Sequence, residues 1–231
     1  MRWSFFFIHL SMNRPSLPGL PDLRAGNLYG IGRNYAAHAR ELNNPVPTRP
    51  VIFGMPLTCL TFDGLVIIPS FVEDAHYEAE LVIAISKTGK DVPNEEALSL
   101  IAGYGLGIDV TARDIQQELK EKSHPWLIAK GLDTFAPVSR FVPAGHVTDP
   151  QKLRFTLDIN GERRQNGDTS LMLFPVAELI ATLSRYFTLQ PGDLIFTGTP
   201  EGVGPLFHGD RLHAVLEPGL VTLDVNVEKK T

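Results

Sequence analysis

His76-Tyr77-Glu78-Ala79-Glu80-Leu81-Val82-Ile83-Ala84-Ile85 changes character halfway along. From Leu81 to Ile85 it is apolar on both faces, the composition of a strand covered on both sides. Before that, His76, Glu78 and Glu80 share one face, because side chains at i, i+2 and i+4 align in a strand. Two neighbouring carboxylates at the mouth of a buried strand repel each other. Either they are solvated where the strand begins, or a cation holds them, or one takes up a proton. A second run, Ile101-Ala102-Gly103-Tyr104-Gly105-Leu106-Gly107-Ile108, carries no charge until Asp109. A lone carboxylate there is costly without a partner; it is a metal ligand or an Asp capping the turn through Thr111 and Ala112. Three carboxylates without a thiolate suit a hard cation with oxygen ligands, Mg²⁺ or Mn²⁺, with Ca²⁺ as the alternative.

Turn signals surround these strands. The 231 residues include 20 Gly and 18 Pro, as expected of many short strands joined by tight turns. Phe62-Asp63-Gly64-Leu65-Val66-Ile67-Ile68-Pro69 reads as an Asp-Gly turn entering a strand. Leu153 to Ile159, Asn160-Gly161 and Glu162 to Gln165 form a hairpin with a type I′ signature. Arg211 to Leu216, Glu217-Pro218-Gly219 and Leu220 to Glu228 form another. The alternation from Val221 to Val227 leaves one of its faces wet. Helices are fewer. Asn94 is placed to N-cap one whose first turn carries Glu95 and Glu96. Apolar residues at 176, 179, 180, 183 and 187, with Pro175 near the start, mark a helical stripe. Tyr35 to Leu42 makes a short helix stopped by Asn43-Asn44-Pro45, and the charged Arg113 to Lys122 makes a surface or mobile one. The class is α+β, built mainly on antiparallel sheet.

Composition narrows the function. The chain is 43% hydrophobic and 20% charged, with 21 basic against 26 acidic residues, a net charge of −5. That is a globular balance. No basic run is interleaved with aromatics, which argues against nucleic acid as a partner. A small anionic substrate then needs a local positive site. The single cysteine, Cys59, sits in an apolar stretch and reads as core; it fits a reducing compartment, with the cytoplasm as default. The apolar stretch from Phe5 to Leu10 contains His9 and is too short for a secretory signal or a membrane span. Residues 1–26 are expected to be an arm, partly disordered, with Met12 an alternative start.

Other segments carry candidate chemistry. In Gly30-Ile31-Gly32-Arg33-Asn34-Tyr35-Ala36-Ala37-His38-Ala39-Arg40-Glu41 the glycines mark a turn after a strand. His38 and Glu41, three apart, are neighbours on a helix. A carboxylate beside an imidazole orients it and raises its basicity, which suits a general base; a plain surface contact has the same spacing. Lys130, after Trp126-Leu127-Ile128-Ala129, either snorkels or faces an anion as a desolvated cation. Thr197-Gly198-Thr199-Pro200-Glu201-Gly202-Val203-Gly204 follows the short strand Leu194-Ile195-Phe196 and exposes backbone N–H groups and hydroxyls to a carboxylate. It is not a Walker loop, since no Gly-Lys-Ser/Thr follows.

Taken together, these segments resemble the fumarylacetoacetate hydrolase family, in particular its short acylpyruvate hydrolase branch. The carrying residues are Gly32-Arg33-Asn34-Tyr35 with His38 and Glu41, His76 to Glu80, Asp109-Val110-Thr111-Ala112-Arg113-Asp114-Ile115-Gln116, Pro125-Trp126 with Ala129-Lys130, and Thr197 to Gly204. They run in order over residues 27–231. The resemblance implies one catalytic domain with a rolled, mostly antiparallel sheet, and a homodimer. It implies that Glu78, Glu80 and Asp109 bind Mg²⁺ or Mn²⁺. It also implies that His38 and Glu41 form a water-activating dyad on a short lid helix that orders with substrate. Arg33, Arg113, Gln116, Lys130 and Thr199 match positions lining the family's pocket, and His76 stands behind the glutamates. One residue departs from the pattern: Met55 occupies the place where many members carry a lysine before Pro56.

The implied activity is cleavage of a C–C bond in a small 2,4-dioxo acid, with His38 and Glu41 activating water and Lys130 facing the developing oxyanion. Decarboxylation or keto–enol isomerisation of oxaloacetate-like acids fits the same residues. A non-catalytic, metal-dependent dicarboxylate-binding protein is the rival of another class. Retention of both His38 and Glu41 speaks against it, because binding alone needs no base.

Overall fold

Strands Ala79–Ile85 and Ile101–Ile108 pair antiparallel at the centre of the computed structural model, which describes residues 14–216 and 219–230. Every residue of Ala79–Ile85 is buried, as an apolar run covered on both faces requires. The sheet continues through Leu194–Phe196, Leu28–Gly32 and Val51–Met55, with Val142–Pro143 on the opposite edge. All its pairings are antiparallel except Leu194–Phe196 with Leu28–Gly32.

A five-stranded sheet packs against this pair: Glu162–Asp168, Arg154–Ile159, Arg211–Leu216, Val221–Lys229 and Leu65–Ile68. Only its last pairing is parallel. In Val221–Lys229, residues 221, 223, 225 and 227 are buried and those between are exposed, so this sheet presents one wet face. Asn160 (φ 54°) and Gly161 (φ 84°) both adopt positive φ at the first hairpin. That is the type I′ geometry, whose twist matches the strands it joins. Gly64, φ 69°, leads into Leu65–Ile68 as the Asp-Gly signal predicts. The second hairpin forms, but its turn residues 217 and 218 lie outside the described residues.

Helix Val176–Tyr186 buries Val176, Leu179, Ile180 and Leu183 with Pro175 at its N-cap, while Phe187 lies past its end and is exposed. The segment at Asn94 differs from expectation. Asn94–Ala97 is a single turn capped by Pro93, and Asn94 is its first helical residue. The turn passes directly into a 3₁₀ segment, Leu98–Leu100, that leads into the central strand. Of the arm expected over residues 1–26, the first 13 lie outside the described residues. From Ser16 the chain is a hairpin, Ser16–Leu17 with Leu20–Arg24, and Leu17 is fully buried. Cys59 is buried in the core. No helix among the described residues is long and apolar enough to cross a membrane.

Phe196 ends the strand that joins the two halves of the central sheet, and it is fully buried. Phe196→Ala is expected to lower unfolding free energy by about 3–5 kcal/mol, the cost of emptying an aromatic site in a packed core. Urea unfolding followed by tryptophan fluorescence measures it; a loss under about 1 kcal/mol would show that the central sheet does not depend on this ring.

Candidate active site

The opening strand is not continuous. Ala75–Tyr77 pairs with Thr111–Ala112 and Gly204–Pro205, whereas Ala79–Ile85 belongs to the central sheet. Glu78 sits at the break between them. Its carbonyl accepts from the backbone N–H of Asp109 (2.8 Å), where the second buried strand ends. That bond continues the antiparallel pairing of the two strands, and the pairing brings the two carboxylate segments together. Glu78, Glu80 and Asp109 are all buried, and each offers an oxygen within 4.8 Å of the others'.

Their surroundings differ. Glu78 Oε1 accepts from Arg113 Nη2 (2.5 Å), and its Oε2 accepts from Lys130 Nζ (2.7 Å). Lys130 Nζ also donates to Asp109 Oδ2 (2.6 Å). Glu80 Oε2 accepts from the backbone N–H of Gly198 (2.7 Å). Asp109 Oδ1 is buried without a hydrogen-bond partner. With all three carboxylates ionised, the two cations would leave one negative charge in the buried cluster. Burial raises the Glu78 carboxyl, but Lys130 and Arg113 outweigh it and hold Glu78 well below the ordinary range. For Glu80 burial prevails, reinforced by Asp109 and Glu78, and its carboxyl is pushed well up. Burial also raises Asp109 despite Lys130. An all-oxygen donor set whose carboxyls resist ionising together, with an unpartnered buried carboxylate oxygen, fits a hard divalent cation.

Lys130 is thus the desolvated cation, buried at the end of Leu127–Lys130. Burial alone would discharge it, but Asp109 and Glu78 keep its ammonium charged. Arg113, with its Nη1 donating to Gln116 Oε1 (2.7 Å), comes from Arg113–Glu121. That helix shows solvent a charged face but buries Gln116 and Leu119, so only part of it is surface.

Ala36–Glu41 carries the dyad. His38 is buried, with Nδ1 3.5 Å from Glu41 Oε2. Burial lowers the imidazole's pKa, opposed by Glu78 and Glu41, so the ring is neutral near pH 7. Glu41 Oε1 also accepts from the backbone N–H of Gly202 (3.0 Å), which ties the helix to the Thr197–Gly204 loop. Asn34 holds the start of the same turn. Its amide donates to the carbonyls of Thr197 (2.8 Å) and Phe174 (3.1 Å) and accepts from the N–H of Phe174 (2.8 Å). Gly198, φ 98°, lies so close that a Cβ there would stand 2.6 Å from that of Asn34. Only glycine lets this loop turn its N–H toward Glu80.

A narrow cavity unites Arg33, His38, Glu78, Arg113, Gln116 and Lys130, with Phe53 and Trp126 on its wall. Thr199 and His76 are not among its lining. Thr199 Oγ1 donates to the carbonyl of Ala79 (2.8 Å) and accepts from Gln165 Nε2 (2.9 Å), bracing the Glu78–Glu80 segment. His76 Nε2 lies 3.1 Å from Asp74. Met55 lines an adjoining apolar cavity beside Leu28 and Tyr29. Gln165 had no sequence signal: it reaches the site from the other sheet, its Oε1 accepting from Ala79 N–H (3.0 Å). Lys120, also in the cavity wall, was hidden in a charged helix; its signal was the 113, 116, 120 spacing, which is one helical face.

Residues 27–228 match the family described as fumarylacetoacetate (FAA) hydrolase, C-terminal. The chain is 42% identical over 204 residues to the mitochondrial oxaloacetate tautomerase of Homo sapiens, covering 88% of this chain and 92% of the relative. A second mitochondrial oxaloacetate tautomerase, from Oryza sativa, is 41% identical over 88% of this chain and 91% of its own length. Among solved structures, fumarylpyruvate hydrolase from Pseudomonas aeruginosa, in complex with Mn²⁺ and pyruvate, superposes with a TM-score of 0.83 at 39% identity, covering 90% of this chain and 91% of that one. The 5-carboxymethyl-2-hydroxymuconate delta-isomerase of Mycobacterium smegmatis follows at 0.81 and 38%, covering 94% and 83%. Sequence, fold and the ordered run of site residues agree that the chain belongs to the fumarylacetoacetate hydrolase family.

Proposed function

We propose that this chain is a Mg²⁺- or Mn²⁺-dependent enzyme that moves a proton beside the keto group of a small 2-oxo acid, interconverting keto and enol forms of an oxaloacetate-like substrate. The observation that carries this reading is a buried, neutral imidazole facing the same narrow cavity as Glu78, the member of the carboxylate cluster that lines it. The similarity to two oxaloacetate tautomerases over most of their length supports it.

Glu78, Glu80 and Asp109 would hold the cation, which when bound supplies Lewis-acid polarisation of a 2-oxo acid. Arg113 and Gln116 stand where they can orient the substrate's polar end. His38 takes the proton from the carbon next to the keto group and returns it to the keto oxygen, so no other reactant is consumed. Glu41 keeps the ring turned toward the cavity. Lys130 holds positive charge in a water-poor site as charge develops on that oxygen. Hydrolytic C–C cleavage of an acylpyruvate is the second reading, supported by the likeness to fumarylpyruvate hydrolase. It uses the same base on water, which then attacks the distal carbonyl.

Metal binding, the base and the pH dependence each carry an expected outcome. Mn²⁺ or Mg²⁺ at about 100 times its Kd stabilises the fold by about 2.7 kcal/mol, a rise in Tm of about 5–10 °C for a chain of this size. Glu80→Gln with Asp109→Asn abolishes that rise in differential scanning fluorimetry, and a full rise in the double variant would exclude the carboxylate site. His38→Ala lowers kcat about 10²–10⁴-fold for oxaloacetate keto–enol conversion or acylpyruvate cleavage while leaving the metal-induced rise intact. In the wild type, activity at saturating metal is lost only as pH falls through the lowered His38 pKa, beneath the usual value of about 6.5. Unchanged turnover in His38→Ala for every reaction the wild type catalyses removes His38 as the base. Stabilisation by dicarboxylates without any product would instead favour a binding protein.

A further inference from the structure

Gln165 reaches the carboxylate segment from the second sheet, and a local irregularity aims it there. Across the hairpin Leu157 faces Gln165 and Asp158 faces Arg163, so Arg164 is an extra residue in Glu162–Asp168. Directly opposed residues of an antiparallel pair lie on one face of the sheet. Leu157 is fully buried in the core, and Gln165 opposite it is 1% exposed. Without the extra residue, counting on from the Asp158–Arg163 pair would set Arg164 against Leu157 and turn Gln165 to the other face. The bulge therefore puts an amide rather than a guanidinium between the sheets. Re-aiming a side chain is what bulges do beside functional sites.

The amide spans two segments. Its Oε1 accepts from Ala79 N–H (3.0 Å), and its Nε2 donates to Thr199 Oγ1 (2.9 Å) and to the Pro200 carbonyl (3.0 Å). Ala79 stands between Glu78 and Glu80, beyond Val82, the last residue that Leu194–Phe196 pairs. The Ala79 carbonyl accepts from Thr199 Oγ1 (2.8 Å). Two side chains thus take the places of the missing strand on this edge. The Thr197–Gly204 loop held in this way presents Gly198 N–H to Glu80 and Gly202 N–H to Glu41. Gly202, φ 94°, lies against the bulge itself: a Cβ there would stand 2.3 Å from the Arg164 carbonyl oxygen.

We infer that Gln165 is a positioning residue for the metal site. By clamping the Glu78–Glu80 segment to the Thr197–Gly204 loop, it fixes how the carboxylates converge and so sets the affinity for the divalent cation. The inference rests on the proposed metal reading of Glu78, Glu80 and Asp109. It goes beyond that reading by giving a share of the affinity to a residue that holds the ligands' backbone and is not itself a ligand. Groups that orient metal ligands from behind typically contribute about 10–100-fold in affinity.

Isothermal titration of Mn²⁺ into the full chain tests the clamp. Gln165→Met keeps the length of the side chain and removes its donor and its carbonyl. Its Mn²⁺ Kd should rise about 10–100-fold. Thr199→Val, which keeps the shape and deletes the hydroxyl between the two segments, should weaken Mn²⁺ in the same direction. The double variant should lose less than the two losses combined, because both remove one network. Val225→Ala is the control. It empties a buried position in Val221–Lys229, a strand not bonded to Glu162–Asp168, and should lower Tm without changing the Mn²⁺ Kd. Unchanged Mn²⁺ affinity in folded Gln165→Met overturns the clamp, as does an equal loss in Val225→Ala. Should Gln165→Met fail to fold, unchanged affinity in Thr199→Val overturns it. A wild type that binds no Mn²⁺ removes the metal reading itself, and the clamp with it.

Discussion

The hydrogen bond from Asp109 N–H to the carbonyl of Glu78 closes the end of a strand pair and holds together carboxylates that repel each other. Glu78, Glu80 and Asp109 converge behind it with almost no exposure to water. Convergence of three carboxylates is unfavourable unless positive charge accompanies them. Lys130 and Arg113 supply part of it, and the raised carboxyls of Glu80 and Asp109 mark the positive charge still lacking, which a divalent cation would supply. Much of the architecture serves that balance. Leu127–Lys130 delivers the ammonium, Arg113–Glu121 the guanidinium, and the Thr197–Gly204 loop the N–H that meets Glu80.

The same constraint explains which parts of the molecule were legible in the sequence. Buried strands must be apolar, so a carboxylate inside one stands out; this is why Glu80 and Asp109 could be identified without a structure. His38 and Glu41 were legible because a helix fixes the meaning of their spacing. The I′ hairpin was legible because Asn160 and Gly161 are residue types that tolerate positive φ. The break at Glu78 was not, because alternation of side chains reads the same through one strand or two collinear ones. His76 consequently shares a pattern with the glutamates but pairs with Asp74.

Other residues were obscured because their partners are distant in sequence. Thr199 looked like a substrate ligand within its loop, yet its hydroxyl is committed to Ala79 and Gln165. Gln165 lies in an exposed-looking hairpin, and only the packing of the two sheets turns it into the site's brace. The arm at Ser16–Arg24 lacked a strong strand pattern because its order comes from packing: Leu17 is buried, and the carbonyl of Pro18 accepts from Phe141 N–H (2.7 Å).

Charge is also layered along the cavity. The innermost cations are bound to carboxylates and therefore act locally. Among the described residues the outer pair, Arg33 and Lys120, is hydrogen-bonded to no side-chain carboxylate, so its field reaches the opening. In a chain of net charge −5, a small anion is repelled by the molecule as a whole and attracted only where low-dielectric walls focus an uncompensated positive field. Met55 adds no charge to the adjoining apolar cavity. The attraction is thus confined to one face of Trp126's surroundings, and an anion drawn there already lies at the entrance to the carboxylate cluster. Fixed carboxylates beside Arg33 and Lys120 would cancel that attraction at the cavity opening.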